Sequence, residues 1–174
     1  HQSFPTKLKA SIFRLNRFES SVTRPFLMEV LRLQEEGILT VDEVTETCRI
    51  VESYLLRRII CDLPSNTLAK VFLTLSSDIK RFDVTYNMFI EKMKYVLTSK
   101  KEKAAFPADE VFAEGLRTKN IYAMPPRYKA YLFERLENGD SSEYKEIYGR
   151  LDSNEYTIEH IMPQKLTPAW TSEL

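Results

Sequence analysis

The sequence predicts a mainly α fold, an irregular multi-helix array with a short β element at its C-terminal end. Three observations carry this expectation. Glycine is scarce, 4 residues in 174 against 10 Phe and 9 Tyr, a balance that favours packed helices over turn-dense sandwiches and barrels. Apolar residues recur at helical spacing through most of the chain. Near the end that period gives way to alternation, with Tyr156, Ile158 and Met162 set against Thr157, Glu159 and Ile161, the pattern of a strand or hairpin arm, and Pro163 ends regular pairing.

Taken in order, Leu8, Ile12, Phe13 and Phe18 suggest a first helix. Pro25 stands at a first-turn position ahead of Phe26, Leu27, Val30 and Leu31, a helix that closes at Gly37. The clearest helix starts at Thr40. Thr40 and Glu43 form a capping-box pattern before Val41, Val44, Cys48, Val51, Tyr54, Leu55 and Ile59, which lie on one stripe. A proline-containing break over 62–65 precedes a helix with Leu68, Val71, Phe72 and Leu75, and Asp83 precedes another with Tyr86, Phe89, Ile90, Met93, Val96 and Leu97. These aromatics are expected in the core rather than as base-stacking platforms. Pro107 opens a helix through Val111, Phe112 and Leu116. Pro125-Pro126 resets the chain before Ala130, Tyr131, Phe133 and Leu136, and Asn138-Gly139 ends that helix.

At 43% hydrophobic the chain can bury one sizeable core. Its 25 basic and 25 acidic side chains cancel, so the field of the whole molecule favours neither nucleic acid nor an acidic membrane, and any DNA contact must come from local patches. Cys48 and Cys61 fall in one helical pattern, roughly 20 Å apart at the helical rise, too far to pair within it. With no CxxC pair and no Cys/His quartet, neither a structural zinc nor a disulfide framework is supported, and a reducing, cytoplasmic compartment fits best. No apolar run approaches the ~18 residues of a membrane span, so no membrane partner is expected.

Several cations invite a DNA reading. At 100° per residue Arg57 falls on the wet face of its helix, whereas Arg58 projects into the apolar stripe and needs a partner. That partner is either a carboxylate from a neighbouring helix or a DNA phosphate. Lys100, Lys101 and Lys103 form a solvated linker or touch a DNA backbone. A DNA-binding module would place Arg57, Arg127, Lys129 and the lysines near 101 on one face.

The site-like constellation is Glu159-His160, followed by Ile161-Met162-Pro163-Gln164. A carboxylate can hold a divalent cation through oxygen, and an imidazole with an ordinary pKa of about 6.5 can deprotonate water near neutral pH. Alone, such a pair is more often structural. In a strand the two side chains point to opposite faces, so a bulge or loop would have to reorient one of them. Asp152, Asn154 and Glu155 could add oxygen ligands but read better as a polar turn.

The longer string Tyr156-Thr157-Ile158-Glu159-His160-Ile161-Met162-Pro163-Gln164 resembles the opening motif of HNH (His-Me finger) endonucleases. It is similar in particular to the C-terminal nuclease domain of GmrSD-type, modification-dependent (type IV) restriction endonucleases, with which Trp170 is also in keeping. The stretch Ile50 to Cys61, then Asn66-Thr67-Leu68 and Phe72, resembles the helical region that precedes the nuclease in that family. The resemblance covers the chain from about residue 24 to the end. It implies a helical domain over 1–140 and the beginning of an HNH-like nuclease domain, a truncated ββα-metal motif, over 141–174. It further implies His160 as the general base and Glu159 as a metal ligand, Mg²⁺ or Mn²⁺ in the complete nuclease and none bound by this stretch alone. The implied partners are DNA with modified cytosine and an N-terminal, nucleotide-hydrolysing ParB-like domain, in a bacterial phage-defence setting. After His160 no further His or Asn follows to complete the metal site, so little cleavage is expected from this stretch by itself. A non-catalytic helical interaction or DNA-binding module is the competing reading.

Overall fold

The computed structural model describes residues 5–82, 84–139, 145–158 and 168–173. These residues are mainly helical, and no strand occurs among them. The helices are α1 (Thr6–Asn16), α2 (Arg24–Glu35), α3 (Val41–Ile60), α4 (Leu68–Lys80), α5 (Phe89–Thr98), α6 (Asp109–Thr118), α7 (Pro126–Asn138), α8 (Ile147–Asp152) and α9 (Pro168–Glu173). Short 3-10 turns at Ser21–Thr23, Ser65–Thr67, Glu102–Ala104 and Ile121–Ala123 join several of them. The chain forms two compact units, His1–Arg127 and Tyr128–Leu174.

In the first unit α3 is the central element, and α1, α2, α5 and α6 all pack on it. Its start follows from local chemistry. The Thr40 backbone N–H donates to Glu43 Oε2 at 2.8 Å, and the Glu43 N–H donates to Thr40 Oγ at 3.2 Å, a reciprocal cap that satisfies two otherwise orphan donors. Because helices cover it from several sides, α3 buries more than the stripe expected of it. Thr45, Thr47, Ile50 and Glu52 are buried as well. The threonines meet their own needs by donating to the carbonyls of Val41 and Glu43, both at 2.8 Å. Glu52 accepts from Arg14 Nε of α1 at 2.9 Å.

The remaining expectations hold with shifts. α2 carries Pro25 in its first turn, and its chain reverses at Gly37, whose φ of +74° suits a residue without Cβ. The Ile38 N–H closes that cap on the Leu33 carbonyl at 2.9 Å. α1 buries Leu8, Ser11 and Leu15, and Phe13 is outside that face with the Arg17 guanidinium over its ring at 4.9 Å. Tyr86 does not lie in α5: Tyr86 and Met88 both have positive φ, and the helix begins at Phe89. The ring is buried all the same, 6.1 Å from that of Phe89, so burial of the aromatic, not helical period, made it look like part of the stripe. Phe89, Met93, Val96 and Leu97 form the core face of α5 as expected.

In the second unit α7 begins at the second proline and ends at Asn138-Gly139 as the sequence predicts. Ahead of the segment where helical period fails, Tyr148 lies in α8, a six-residue helix that no sequence period marked. It is too short for periodicity to register, and what sets it is its cap, in which Glu146 Oε1 accepts the Gly149 N–H at 2.8 Å. Ser153 to Tyr156 then form a turn, with Asn154 at φ +60° and Asp152, Asn154 and Glu155 exposed. The alternating segment that suggested a β element runs on to Met162, and from Glu159 to Met162 it lies outside the described residues.

Candidate functional site

Arg57 is not on a wet face. Its guanidinium donates to the Pro107 carbonyl at 2.9 Å and to Asp109 Oδ1 at 2.5 Å, and it stacks over Phe112 at 5.0 Å and Phe106 at 5.5 Å. The helical wheel of α3 points it outward correctly, but α6 covers that side. The same interface is held at its other end by Lys119, which donates to the Ile59 carbonyl at 3.1 Å and pairs with Asp62. A cation there complements the carbonyl-rich C-terminus of α3. Between the two clamps Gly115 faces Ile60, where an added Cβ would sit 3.1 Å from Ile60 Cγ2. α6 has no fully buried residue, so these polar clamps and the close approach at Gly115 position it.

Arg58 is 2% exposed and is among the largest fully buried side chains. The expected carboxylate partner is not there. Its Nη2 donates to the carbonyls of Pro64 and Lys103, both at 2.7 Å, and to Thr67 Oγ at 3.0 Å, while Nη1 donates to the Ala105 carbonyl at 3.1 Å. The Tyr54 ring lies under the guanidinium at 5.1 Å, and its hydroxyl donates to the Ala104 carbonyl at 2.7 Å. Five donors in a rigid fork can reach several carbonyls at once, which a lysine cannot do. Among the described residues the Arg58 Nε–H has no acceptor. Both arginines therefore direct their guanidinium groups to protein partners, and both fasten the 103–109 segment to α3.

Above that segment runs a groove of about 480 Å³, lined by Thr67, Lys70 and Thr74 on one side and by Lys100, Lys101 and Lys103 on the other. Lys100 is paired with Asp78 at 2.9 Å. Burial pushes the Asp78 carboxyl up, but the bonds and charges of Lys100, Thr74 and Arg81 outweigh it and hold the group below its ordinary value.

In the second unit the polar organiser is the pair Glu134 and Asn138, one turn apart on α7 and both buried. Asn138 Nδ2 donates to the Lys145 carbonyl at 2.8 Å, and its Oδ1 accepts the Lys145 N–H at 2.7 Å, so one side chain imitates a backbone ladder across the loop. Nδ2 also reaches Glu134 Oε1 at 3.3 Å, and the Tyr148 hydroxyl donates to Glu134 Oε2 at 3.4 Å. Sequence reasoning passed over this lock. Its signal was two polar residues at i, i+4 on the face that also carries Tyr131. Downstream, Arg150 Nη1 donates to the Tyr156 hydroxyl at 2.9 Å, and the Tyr156 N–H returns to the Arg150 carbonyl at 3.0 Å. This fixes the chain just ahead of Thr157 and Ile158.

The two residues singled out for chemistry, Glu159 and His160, come next and lie outside the described residues. Among the described residues no group of three His, Cys, Asp or Glu is placed to hold a metal. Arg127 pairs with Glu19 at 3.2 Å, and Lys129 is half-buried on α7. Cys48 and Cys61 are both free. Burial, with Glu52 adding to it, pushes the Cys48 thiol up to about 11, and burial also raises Cys61.

The sequence of this region has a counterpart among protein families. Residues 106–173 match the GmrSD restriction endonucleases, C-terminal domain. That stretch is similar to the GmrSD type. The match begins at Phe106, under the Arg57 guanidinium, takes in α6 to α9, and includes Glu159-His160-Ile161-Met162-Pro163. The matched stretch thus starts inside the first compact unit, at the segment that Arg57 and Arg58 fasten. No curated protein and no solved structure matches the chain. Among the described residues no helix is long and apolar enough to cross a membrane.

Proposed function

We propose that this chain is the helical region and the opening of the HNH-like nuclease domain of a modification-dependent restriction endonuclease, a cytoplasmic enzyme of bacterial phage defence that hydrolyses DNA phosphodiester bonds. The observation that carries the reading is the GmrSD C-terminal match running through Glu159 and His160. The domains are a helical body over 1–140 and the nuclease start over 141–174.

His160 is the general base: its imidazole takes a proton from the attacking water, a task that imidazole side chains perform near neutral pH. Glu159 would hold a divalent cation. A carboxylate beside an imidazole is an oxygen and nitrogen donor set compatible with Mg²⁺ or Mn²⁺, and when bound such an ion supplies charge neutralisation at the phosphate and its leaving oxygen. Two donors leave that coordination incomplete. With no His or Asn after His160 in the sequence, the 174-residue chain alone is expected to cut poorly. Arg127 and Lys129, at the start of α7, are the proposed DNA contacts nearest the nuclease start. Modified cytosine is the proposed mark on the target, and a ParB-like nucleotide-hydrolysing domain the proposed N-terminal partner.

The test is cleavage of plain and cytosine-modified duplex DNA, with Mg²⁺ or Mn²⁺ and with nucleotides added, by the parent protein and by its His160→Ala form. Cutting that drops at least about 100-fold in the variant supports the base role, in line with the usual worth of a general base. A folded, metal-loaded parent that cuts neither substrate would overturn the reading in favour of a non-catalytic helical module.

A further inference from the structure

We propose that the groove between α4 and the Lys100–Ala104 turn is a docking site for the phosphodiester backbone of duplex DNA. The choice of DNA as occupant rests on the nuclease reading; the site itself rests on charge and burial. The groove is lined by four lysines, Lys70, Lys100, Lys101 and Lys103, against one acid, Glu102, in a chain whose total charge is zero. Lys100 is neutralised by Asp78. Lys70, Lys101 and Lys103 are exposed and have no ion-pair partner among the described residues. Many other surface cations of this unit do: Arg32 with Glu29 and Glu36, Lys80 with Glu29, Lys94 with Glu46, Arg81 with Asp78.

Beneath the groove lies a second, independent positive charge. Among the described residues the buried Arg58 guanidinium has only neutral partners, and one of them, Thr67, is itself a groove residue. A buried cation without a carboxylate is costly, and its field is little screened. Here it reinforces the lysines above it. Arg58 also ties the two walls together, through the Pro64 carbonyl and Thr67 on one side and the Lys103 carbonyl on the other. The walls are therefore fixed in advance, and binding an anionic strand carries no ordering cost for the backbone that holds the lysines. A partly open channel lined by aliphatic lysine stems and hydroxyls, with no aromatic in its lining, suits a sugar-phosphate backbone and not an unstacked base.

The experiment is fluorescence anisotropy of a labelled, unmodified 20-base-pair duplex with the 174-residue chain over 50 to 200 mM salt, with Lys70→Ala/Lys101→Ala/Lys103→Ala and Arg127→Ala/Lys129→Ala compared. The triple variant leaves every Arg58 bond intact, since the one made at Lys103 uses its carbonyl and the others use Pro64, Thr67 and Ala105, and an unchanged thermal midpoint checks its fold. The expected result is a loss of at least about 10-fold in affinity and a fall of roughly 2 to 3 in the salt slope, near 0.9 for each phosphate no longer neutralised. Equal affinity and slope in the triple variant overturn the proposal, as does a loss confined to the Arg127/Lys129 variant. Lysine-dependent binding of a nucleoside triphosphate with none of the duplex overturns it too. Binding that holds while the parent protein fails to cut counts against the nuclease reading alone.

Discussion

Arg58 Nη2 lies 2.7 Å from the carbonyl oxygen of Lys103, forty-five residues away in the chain, and the same nitrogen holds the Pro64 carbonyl and Thr67. One buried cation thus joins the end of α3, the turn before α4 and the segment that leads into the stretch similar to GmrSD C-terminal domains.

Arg58→Ala is expected to destabilise the first unit by at least about 3 kcal/mol. Three carbonyls lose a charged donor at once, and each buried acceptor left unmade costs about 1–3 kcal/mol. Arg58→Lys keeps the charge but not the fork, and falls between the two. Urea unfolding of the three proteins measures the order; a Lys variant as stable as the parent would show that charge, not geometry, is what the site needs.

Asn138 makes two bonds to the Lys145 backbone while lying against Glu134. Asn138→Ala is expected to cost about 2 kcal/mol through the unpaired Lys145 groups. Asn138→Asp cannot donate, and it sets a second carboxylate beside a buried one. It should therefore be the worse variant at pH 7 and recover toward pH 4 as one carboxyl takes up a proton. Thermal melts at the two pH values decide it, and an Asp variant indifferent to pH would contradict the contact.

Asp78 is held below its ordinary value, so its bridge to Lys100 contributes stability that is present above the unfolded pKa, about 3.9, and is lost as pH falls through the depressed folded value. Asp78→Asn should cost roughly 1 kcal/mol at pH 7, given the partial exposure of both partners. It should also show a shallower loss between pH 4 and pH 2 than the parent. Parallel acid-titration curves for the two proteins would count against this bridge.

Both thiols are raised by burial, Cys48 to about 11, so thiolate is scarce at neutral pH. Iodoacetamide at pH 7.5 should label Cys61, which is only half-buried, slowly, and Cys48 only when urea opens the unit. Prompt double labelling of the folded protein, read by mass spectrometry, would contradict the burial of Cys48.

Helices announce themselves by features spanning few residues. The Thr40/Glu43 cap, Pro25 and Gly37 around α2, the second proline of Pro125-Pro126 and the Asn138-Gly139 stop all describe elements that form as the sequence implies, because capping and periodicity depend on neighbours one turn away. The six-residue α8 was illegible for the same reason: it has too few turns for a period to appear.

The partners of the charged residues were a different matter. Arg57 was outward by its own helix and became half-buried because α6 lies over it, and Arg58 was rightly seen as needing a partner but found carbonyls where a carboxylate was expected. The motif at Glu159-His160 was legible as a string because a family match needs only order along the chain. The sequence by itself determined most of the helical elements and several of their ends, which depend on residues near one another in the chain, and it carries the Glu159-His160 string on which the nuclease reading rests. Only the tertiary structure decided where each guanidinium and lysine ended up, since a long side chain's choice among carbonyl, carboxylate and solvent is set by segments some fifty residues away, such as Pro107 against Arg57.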